Sequence, residues 1–424
     1  MRIGVVGSGG AGTTAAWLLD REHDVTLFER NEVLGGHAHT TKVALDGRDY
    51  FCDDGAAWFS DRMYPLLLRL FQLNGVETEV VPLGVTFTNR AEGVSVAMPP
   101  NRPGDILRIL KQPARLRALL ALNEALRQAR GIVERREREQ SLGAFVQGLK
   151  MNRAVLEGFV QPFLFGIWGG PWERSADFAA YPVLKYPIMH RPIQLRRVRW
   201  QQVKGGAASY IARVAQSFET TRVLRSTAVA GLARRGDEWV LHDEHGEGHT
   251  FDRIVLATGA KAAKALLASA PGLSAQKEAL SGFEYYRVRL ATHGDASFMP
   301  PDRADWKTVH VDFDGRSARF TSWVGWREGV DLFTSYVADR EPETVYSWNS
   351  YDLPLVSPAH FVAQRELADV QGQDGLWFAG DWTQDIGSHE DAVRSGADIA
   401  RALAPQSERL RLLAGDIYPV LATA

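Results

Sequence analysis

The first part of the chain alternates between short apolar runs and one glycine-rich turn. Residues 3–6 form an apolar run of strand length, and the turn at 7–12 follows it without a spacer. Residues 13–20 carry apolar side chains at helical spacing, and residues 25–28 alternate as a second strand that leads into Glu29. The pattern therefore predicts a βαβ unit with an acid at the end of its second strand.

The turn has GxGxxG spacing between a strand and a helix, the context in which this motif is typical of dinucleotide binding. Gly7 permits the tight turn, Gly9 lets the backbone approach a pyrophosphate, and Gly12 lets the helix and strand pack closely. The helix N-terminus offers N–H groups to the phosphates. Glu29 lies 22 positions after Gly7, about where a carboxylate accepts from a ribose diol. The alternative interpretation is a glycine-rich turn that binds no ligand.

The pattern after this unit predicts a mixture of strands and helices. Residues 43–51 indicate strand structure with a turn at Asp46 and Gly47. Residues 65–73 have helical periodicity, and residues 76–88 alternate as one or two strands. We expect the chain to leave the nucleotide-binding unit near this point.

The segment 104–138 predicts one or two helices, broken or kinked at Pro113. One stripe is apolar and comprises Leu116, Leu119, Leu120 and Leu126. The other face is basic and comprises Arg102, Arg108, Lys111, Arg115, Arg117, Arg127 and Arg130. We favour a solvated basic face over a core stripe. The alternative is a basic amphipathic helix that lies on an anionic membrane or meets an acidic partner.

Composition narrows the class of protein. The chain has 424 residues, is 45% hydrophobic and 24% charged, and has a net charge of −2, so nothing global favours nucleic-acid binding. Cys52 is the single cysteine, which excludes an intramolecular disulfide. The histidines lack metal-ligand spacing, and we expect no metal. Without a secretory signal or an apolar run of membrane-spanning length, we expect a cytoplasmic protein, for which peripheral membrane contact remains open.

A second glycine turn distinguishes flavin from nicotinamide binding. Gly35-Gly36-His37 follows closely after Glu29 and Arg30, and this arrangement resembles the FAD-binding start of the flavin-containing amine oxidase superfamily. Further stretches resemble the same superfamily in the expected order. The residues that the motif and the resemblance assign to FAD are Gly7, Gly9, Gly10, Ala11, Gly12, Glu29, Arg30, Gly35, Gly36, His37, Asp54, Gly55, Ala56, Val229, Ala257, Thr258, Gly259, Gly380, Asp381, Ser388, His389 and Ala392.

Within the superfamily, the chain is most similar to a bacterial branch of amine-oxidase-like predicted NAD/FAD-binding proteins, often associated with cyclopropane fatty-acid synthases. The resemblance implies an α/β fold, in which a Rossmann-like FAD-binding domain of the GR2/amine oxidase type is interleaved with an α+β substrate domain. The expected ranges are 1–60, 196–290 and 368–410 for the FAD-binding domain, 61–195 and 291–367 for the substrate domain, and 411–424 for a C-terminal tail.

The resemblance implies oxidation of a small-molecule substrate by hydride transfer from a C–H bond to flavin N5. No second strand–GxGxxG–helix unit and no CxxC motif accompany the first unit, so we expect no nicotinamide domain or thiol relay. Amine oxidases of this superfamily commonly have an aromatic wall before the last helix and a lysine near flavin N5. Ser388 matches the first position, and no lysine occurs between Lys277 and Lys307. Both departures weigh against amine oxidation.

We therefore expect oxidation or desaturation of an apolar, fatty-acyl or lipid-like substrate. The alternatives are an amine or amino-acid oxidase, and a non-redox flavoprotein that acts as an isomerase or binds FAD structurally. For Glu390, the alternative to acid/base catalysis is a structural cap or ion pair. The catalytic candidates are Glu390, His389, Trp382 and Tyr286, and the aromatic residues expected to line the site are Trp58, Trp168, Tyr285, Tyr286 and Trp382.

Overall fold

The structure is a computed structural model that describes residues 1–100, 103–190 and 198–416. Five parallel strands form the sheet that begins at the GxGxxG unit. Their order across the sheet is β10 (Arg222–Leu224), β2 (Asp24–Phe28), β1 (Arg2–Val6), β14 (Arg253–Leu256) and β20 (Leu376–Phe378).

A seven-stranded mixed sheet forms the second large layer. Only the pairing between its strands at Val85–Asn89 and Val309–Phe313 is parallel. The order is β19 (Val345–Pro354), β15 (Tyr285–His293), β18 (Phe333–Tyr336), β17 (Ala318–Trp323), β16 (Val309–Phe313), β7 (Val85–Asn89) and β8 (Val94–Met98).

Three small antiparallel sheets complete the strand structure. The first is a hairpin, and the other two have three strands each. They consist of β3 (Thr40–Leu45) with β4 (Arg48–Asp53), of β5 (Phe59–Ser60), β9 (Trp200–Val203) and β6 (Thr78–Val81), and of β11 (Val229–Arg235), β12 (Glu238–Asp243) and β13 (Gly248–Phe251).

Helices cover the sheets and connect them. They are α1 (Gly10–Leu19), α2 (Pro65–Leu73), α3 (Pro103–Lys111), α4 (Pro113–Glu134), α5 (Leu142–Gly148), α6 (Arg153–Val155), α7 (Gln161–Gly166), α8 (Ala180–Met189), α9 (Ala207–Gln216), α10 (Ala260–Leu266), α11 (Ser274–Ser281), α12 (Pro358–Asp369), α13 (His389–Leu403) and α14 (Glu408–Ala414).

The N-terminal and C-terminal segments meet where α1 packs against α13. A Cβ on Gly396 of α13 would lie 2.7 Å from the Ala11 carbonyl oxygen, so glycine is what allows the two helices to approach. One apolar core includes this contact and extends to α2, α4 and α7. A second core lies around Trp239 and includes α10, part of α11 and Trp382.

Several predicted elements are confirmed. The βαβ unit consists of β1, α1 and β2, the turn at Asp46 and Gly47 joins β3 to β4, and α2 has the predicted bounds. The two helices predicted in 104–138 are α3 and α4, and they are separated at Gln112 because Pro113 has no N–H to continue the first helix.

The leucine stripe predicted for α4 is wrong in part. Leu126 is buried, but Leu116 and Leu120 are exposed. The buried residues of the helix are Arg115, Ala118, Leu122, Ala125, Leu126, Ala129 and Ile132. Arg115, predicted on the basic outer face, is buried because it pairs with Asp305. Arg102 lies outside the described residues. The predicted domain boundaries stay predictions, as does the C-terminal tail, whose start falls within α14.

Candidate flavin and substrate site

The GxGxxG turn is shaped by close backbone contacts. Gly7 has a φ of 102°, and a Cβ there would lie 2.7 Å from the Ala257 carbonyl oxygen. A Cβ on Gly12 would lie 1.9 Å from the Gly7 carbonyl oxygen, so no larger residue fits without displacing the backbone. At Gly9 the nearest such contact is 3.9 Å away, at the Gly35 oxygen, which leaves an open backbone surface. These are the roles that a pyrophosphate-binding turn requires of its three glycines.

Glu29 connects the first glycine turn to the second. It is buried, and its Oε2 accepts hydrogen bonds from the Ser8 N–H at 3.2 Å and the Ser8 hydroxyl at 2.5 Å. The Ser8 Oγ in turn accepts from the Gly35 N–H at 3.2 Å. Arg30, the next residue, is exposed. The carboxylate is therefore fixed at the carboxyl edge of the parallel sheet, where an adenosine ribose binds in this class of fold.

The second glycine turn lies directly on the first. Gly36 has a φ of 56°, and a Cβ there would lie 3.2 Å from the Gly9 Cα atom. The following segment is equally close, because a Cβ on Gly55 would lie 1.9 Å from the His37 carbonyl oxygen. That oxygen accepts from the Ala56 N–H at 3.1 Å. Three glycine segments thus converge with little side-chain bulk between them, an arrangement that fits an FAD.

Two further loops with predicted FAD contacts meet behind these turns. The Trp382 Nε1–H donates to the Thr258 carbonyl oxygen at 3.0 Å, which links residues 257–259 to the loop at Gly380 and Asp381. Burial raises the pKa of Asp381. Val229, the predicted adenine contact, begins β11 and is half-buried.

The last helix begins at the site with a capping box. The Ser388 hydroxyl oxygen accepts from the Asp391 N–H at 3.3 Å, and the Asp391 carboxylate accepts from the Ser388 N–H at 2.9 Å. His389 follows the cap, and its Nε2 shares a hydrogen bond with the Tyr210 hydroxyl. A Cβ on Gly10 would lie 2.9 Å from this Nε2, so the imidazole lies beside the first glycine turn. Burial lowers the pKa of His389 to about 4, which makes the ring neutral at pH 7.

A cavity of about 1620 Å³ opens beside His389 and Ser388. Its polar side chains include His37, Asp54 and Asp381. Most of the remaining wall is apolar. The aromatic side chains of the wall are Trp58, Phe59, Tyr64, Phe163, Trp168, Tyr186, Trp200, Tyr286, Phe320, Tyr336 and Tyr351.

Arginines also contribute to this cavity. Arg130 from α4 and Arg199 before β9 are both exposed, which indicates that they lie at its rim. Neither role was predicted, although Arg130 belongs to the basic face identified in the sequence. The cavity thus combines an aromatic interior with cations at the solvent-facing edge.

Glu390 lies away from the cavity wall and has a helix-capping geometry. Its two carboxylate oxygens accept from the Leu66 N–H at 2.9 Å and the Leu67 N–H at 3.0 Å, at the first turn of α2. Burial raises the pKa of Glu390 to about 7, and these two hydrogen bonds partly oppose the shift. The geometry favours the structural alternative over acid/base catalysis.

The other catalytic candidates occupy different positions. Tyr286 lines the cavity. Trp382 does not line it, because its ring packs on Phe283 at 4.7 Å in the second core. Tyr285 also points away, since its hydroxyl accepts from the Ala260 N–H at 2.8 Å. We therefore describe Trp382 and Tyr285 as structural residues.

Two buried polar networks were missed by the sequence analysis. Asp54 accepts hydrogen bonds from the Tyr351 hydroxyl at 2.7 Å and the Thr41 hydroxyl at 3.0 Å, and it pairs with the His39 Nδ1 at 2.8 Å. Asp53 accepts from the Ala207 N–H at 2.8 Å, which caps α9, and burial raises the pKa of Asp53 to about 7. The adjacent acids Asp53 and Asp54 are the only feature of the local sequence that could have indicated either network.

A cluster of potential metal ligands occurs on the β12–β13 hairpin. Asp243, Glu247 and His249 each place one ligand atom within 4.8 Å of the others. The Asp243 carboxylate already accepts from the His245 N–H at 3.0 Å and the Glu247 N–H at 2.9 Å. These bonds explain the cluster as the closure of a tight turn.

The convergent glycine turns, the buried acid and the capped last helix define an FAD-binding oxidoreductase. Residues 11–289 match the model of the flavin containing amine oxidoreductase family, and the chain belongs to this family. The predicted superfamily, fold class, enzyme class and FAD cofactor are therefore confirmed. In the part of the chain that the structure describes, no helix is both long and apolar enough to cross a membrane.

Individual relatives span several activities. Coproporphyrinogen III oxidase of Bacillus subtilis (strain 168) is 22% identical over 392 residues, which cover 82% of this chain and 80% of the relative. A putative protoporphyrinogen oxidase from Exiguobacterium sp. 255-15 has a TM-score of 0.67 at 16% identity, and a CLA-producing fatty acid isomerase from P. acnes has 0.67 at 15%. Cyclohexylamine oxidase from Brevibacterium oxydans IH-35A has 0.64 at 16%. Each structural match covers 95% of this chain and 98% of the other, and at these identities it shows the fold alone.

Proposed function

We propose that this enzyme oxidises or desaturates an apolar substrate that carries an acidic group. The observation that supports the proposal is the cavity itself, whose wall is largely aromatic next to Ser388 and His389 and has Arg130 and Arg199 at its rim. An apolar substrate loses its ordered hydration when it enters such a wall, whereas a carboxylate gains charge-assisted hydrogen bonds from a guanidinium.

Cofactor binding is assigned to the three glycine segments, Glu29 and the N-terminus of α13. The helix N-terminus offers N–H groups and a partial positive charge to the flavin ring. When bound, FAD supplies the acceptor for the hydride and its two electrons. The remaining contributions come from residues of this chain.

The cavity residues orient the substrate and exclude water from the reacting carbon. Trp168, Tyr286 and Tyr336 supply flat apolar surfaces for the hydrocarbon part. Neutral His389, held by the Tyr210 hydroxyl, contributes an uncharged ring to the wall next to the first glycine turn. Arg130 and Arg199 hold the acidic group at the rim, which fixes how deeply the chain enters.

The relatives support this substrate class without deciding it. The printed name of one structural neighbour specifies a fatty acid, which is an apolar chain that ends in a carboxylate. That neighbour is an isomerase, and this favours a second candidate, isomerisation of the same kind of substrate without net oxidation. Cyclohexylamine oxidase favours the amine alternative, which Ser388 and the absence of lysine between Lys277 and Lys307 oppose.

The test mixes the purified FAD-loaded enzyme with candidate substrates under anaerobic conditions and measures the loss of the oxidised-flavin absorption band. One panel contains fatty acids, phospholipids and porphyrinogens, and the other contains amines and amino acids. We expect bleaching by a member of the first panel. Bleaching by amines alone contradicts the proposal, and product formation without net oxidation identifies the isomerase.

A pair of rim variants tests the acidic group separately. Arg130→Gln and Arg199→Gln each remove one charge, and we expect KM for the carboxylate substrate to rise by about tenfold. The methyl ester of the same substrate serves as the control, because it has no charge to lose. Equal effects on the acid and the ester would contradict the role of the arginines.

A further inference from the structure

The helix pair α3–α4 exposes apolar side chains on its outer face, in addition to those that it buries, such as Ile109 and Leu126. Apolar side chains that point outward are Ile106, Leu107, Leu110, Leu116 and Leu120, with exposed fractions of 50%, 52%, 64%, 39% and 60%. We call these five residues the α3–α4 patch. Leucine and isoleucine are normally buried, and several of them exposed together on adjacent turns indicate a contact surface.

The inner face of the same helices carries buried charges. Asp105 of α3 pairs with Lys307 at 3.1 Å, and Arg115 of α4 pairs with Asp305 at 2.9 Å. Arg108 bonds to the same Asp305 at 3.2 Å. These ion pairs anchor both helices with a fixed rotation, so the exposure of the patch is part of a specified packing arrangement and not loose attachment.

Cations outnumber acids around the patch, because the nearby acids Asp302 and Glu124 each already pair with an arginine. Lys111 and Arg117 are exposed beside the apolar side chains. Between residues 104 and 123, all of which the structure describes, Asp105 is the only acid, and it is buried. Apolar residues flanked by cations match the boundary of an anionic bilayer, where the apolar groups enter the acyl region and the cations meet phosphates.

We propose that the α3–α4 patch docks the enzyme on a bilayer that contains anionic phospholipid. A second copy of the chain is a weaker fit. A symmetric dimer through this patch would bring Lys111 and Arg117 of each copy close to the same cations of the other. The nearby acids Asp302 and Glu124 already pair with Arg108 and Arg127.

The patch is also continuous with the cavity. Leu119 and Asn123 of α4 line the cavity, and they lie on the helix stripe next to Leu116 and Leu120. Arg130, at the rim, lies two turns further along the same helix. A chain that leaves the bilayer at the patch would therefore reach the cavity along one helix. This connection rests on the proposed substrate class, whereas docking itself does not.

Vesicle flotation of the FAD-loaded full-length protein tests docking without any substrate. Phosphatidylcholine vesicles with and without phosphatidylglycerol are the probes. We expect binding to the anionic vesicles, and we expect Leu107→Gln combined with Leu110→Gln to weaken it about tenfold or more, because two exposed leucines no longer enter the acyl region. Lys111→Gln combined with Arg117→Gln should weaken it by roughly tenfold and reduce its salt dependence.

The matched control is Val362→Gln combined with Leu412→Gln, which changes two exposed apolar residues outside the patch. This variant should bind vesicles as the unmodified protein does. Docking is refuted if the unmodified protein does not bind anionic vesicles, or if the Leu107/Leu110 variant binds them equally well. A dimer in light scattering that this variant dissociates, without vesicle binding, would identify a second copy as the partner. Because the readout is vesicle binding, failure here leaves the proposed substrate class untouched.

Discussion

The glycine-turn end of the site and the aromatic cavity are built in different ways. At the glycine end, the shape comes from backbone, and each tight approach is made possible by a glycine such as Gly12 or Gly55. In the cavity, the wall includes side chains from α4, α7, α8, β15, β17, β18 and β19, which are far apart in the sequence. The first end forms the predicted FAD contacts, whereas the second surrounds the proposed substrate.

The strongest test of this division is Gly12→Ala. The added Cβ would lie 1.9 Å from the Gly7 carbonyl oxygen, so the turn must move, and we expect a loss of about 3 kcal/mol or more in the free energy of unfolding. The purified variant should retain little FAD, measured by its absorption relative to protein. Gly148→Ala is the control, because its Cβ would meet no atom within 4 Å. Full FAD content in Gly12→Ala would contradict the backbone description of this end.

A second test concerns Glu390, which follows His389 at the start of α13 and caps α2. Its folded pKa of about 7 is above the ordinary 4.5, so the folded protein keeps a proton that the unfolded chain releases between these pH values. Its contribution to stability is therefore lost as pH rises through this window, and the shift corresponds to about 3 kcal/mol. In Glu390→Gln, urea unfolding should show a flatter pH dependence from pH 4.5 to 7.

The control for this measurement is exposed Glu366→Gln, which should leave the pH profile unchanged. The capping description also predicts that kcat of Glu390→Gln stays within a few-fold of the unmodified enzyme. A loss of kcat by about a thousandfold with unchanged stability would restore Glu390 as a catalytic acid or base.

The smallest expected effect comes from the cavity wall. Trp168→Ala removes one aromatic surface, and we expect kcat/KM to fall about tenfold with unchanged FAD content. Trp348→Ala is the matched control, because Trp348 is exposed on β19 and does not line the cavity. Loss of FAD from Trp168→Ala would show that the cavity wall also contributes to cofactor binding.

The difference between the two ends also explains which features of the site could be predicted from the sequence. The βαβ unit, Glu29 and the second glycine turn could be identified because their geometry depends on residues close in sequence. Trp382 and Tyr285 were misjudged because their neighbours, Phe283 and the Ala260 N–H, are set by how loops fold back. Arg115 was predicted to be exposed but is buried, because its partner Asp305 lies 190 residues away in the sequence. Local patterns identify the cofactor, and long-range packing decides which side chains reach the substrate.

The order of strands in the parallel sheet has a consequence for biosynthesis. The sheet takes β1 and β2 from the start of the chain, β10 and β14 from its middle, and β20 from Leu376–Phe378. During translation, the first glycine turn therefore leaves the ribosome long before the strand and helix that complete its surroundings. The nascent chain therefore lacks the loop at Gly380 and the N-terminus of α13 while its first glycine turn is already outside the ribosome. We expect fragments that lack α13 to purify without FAD.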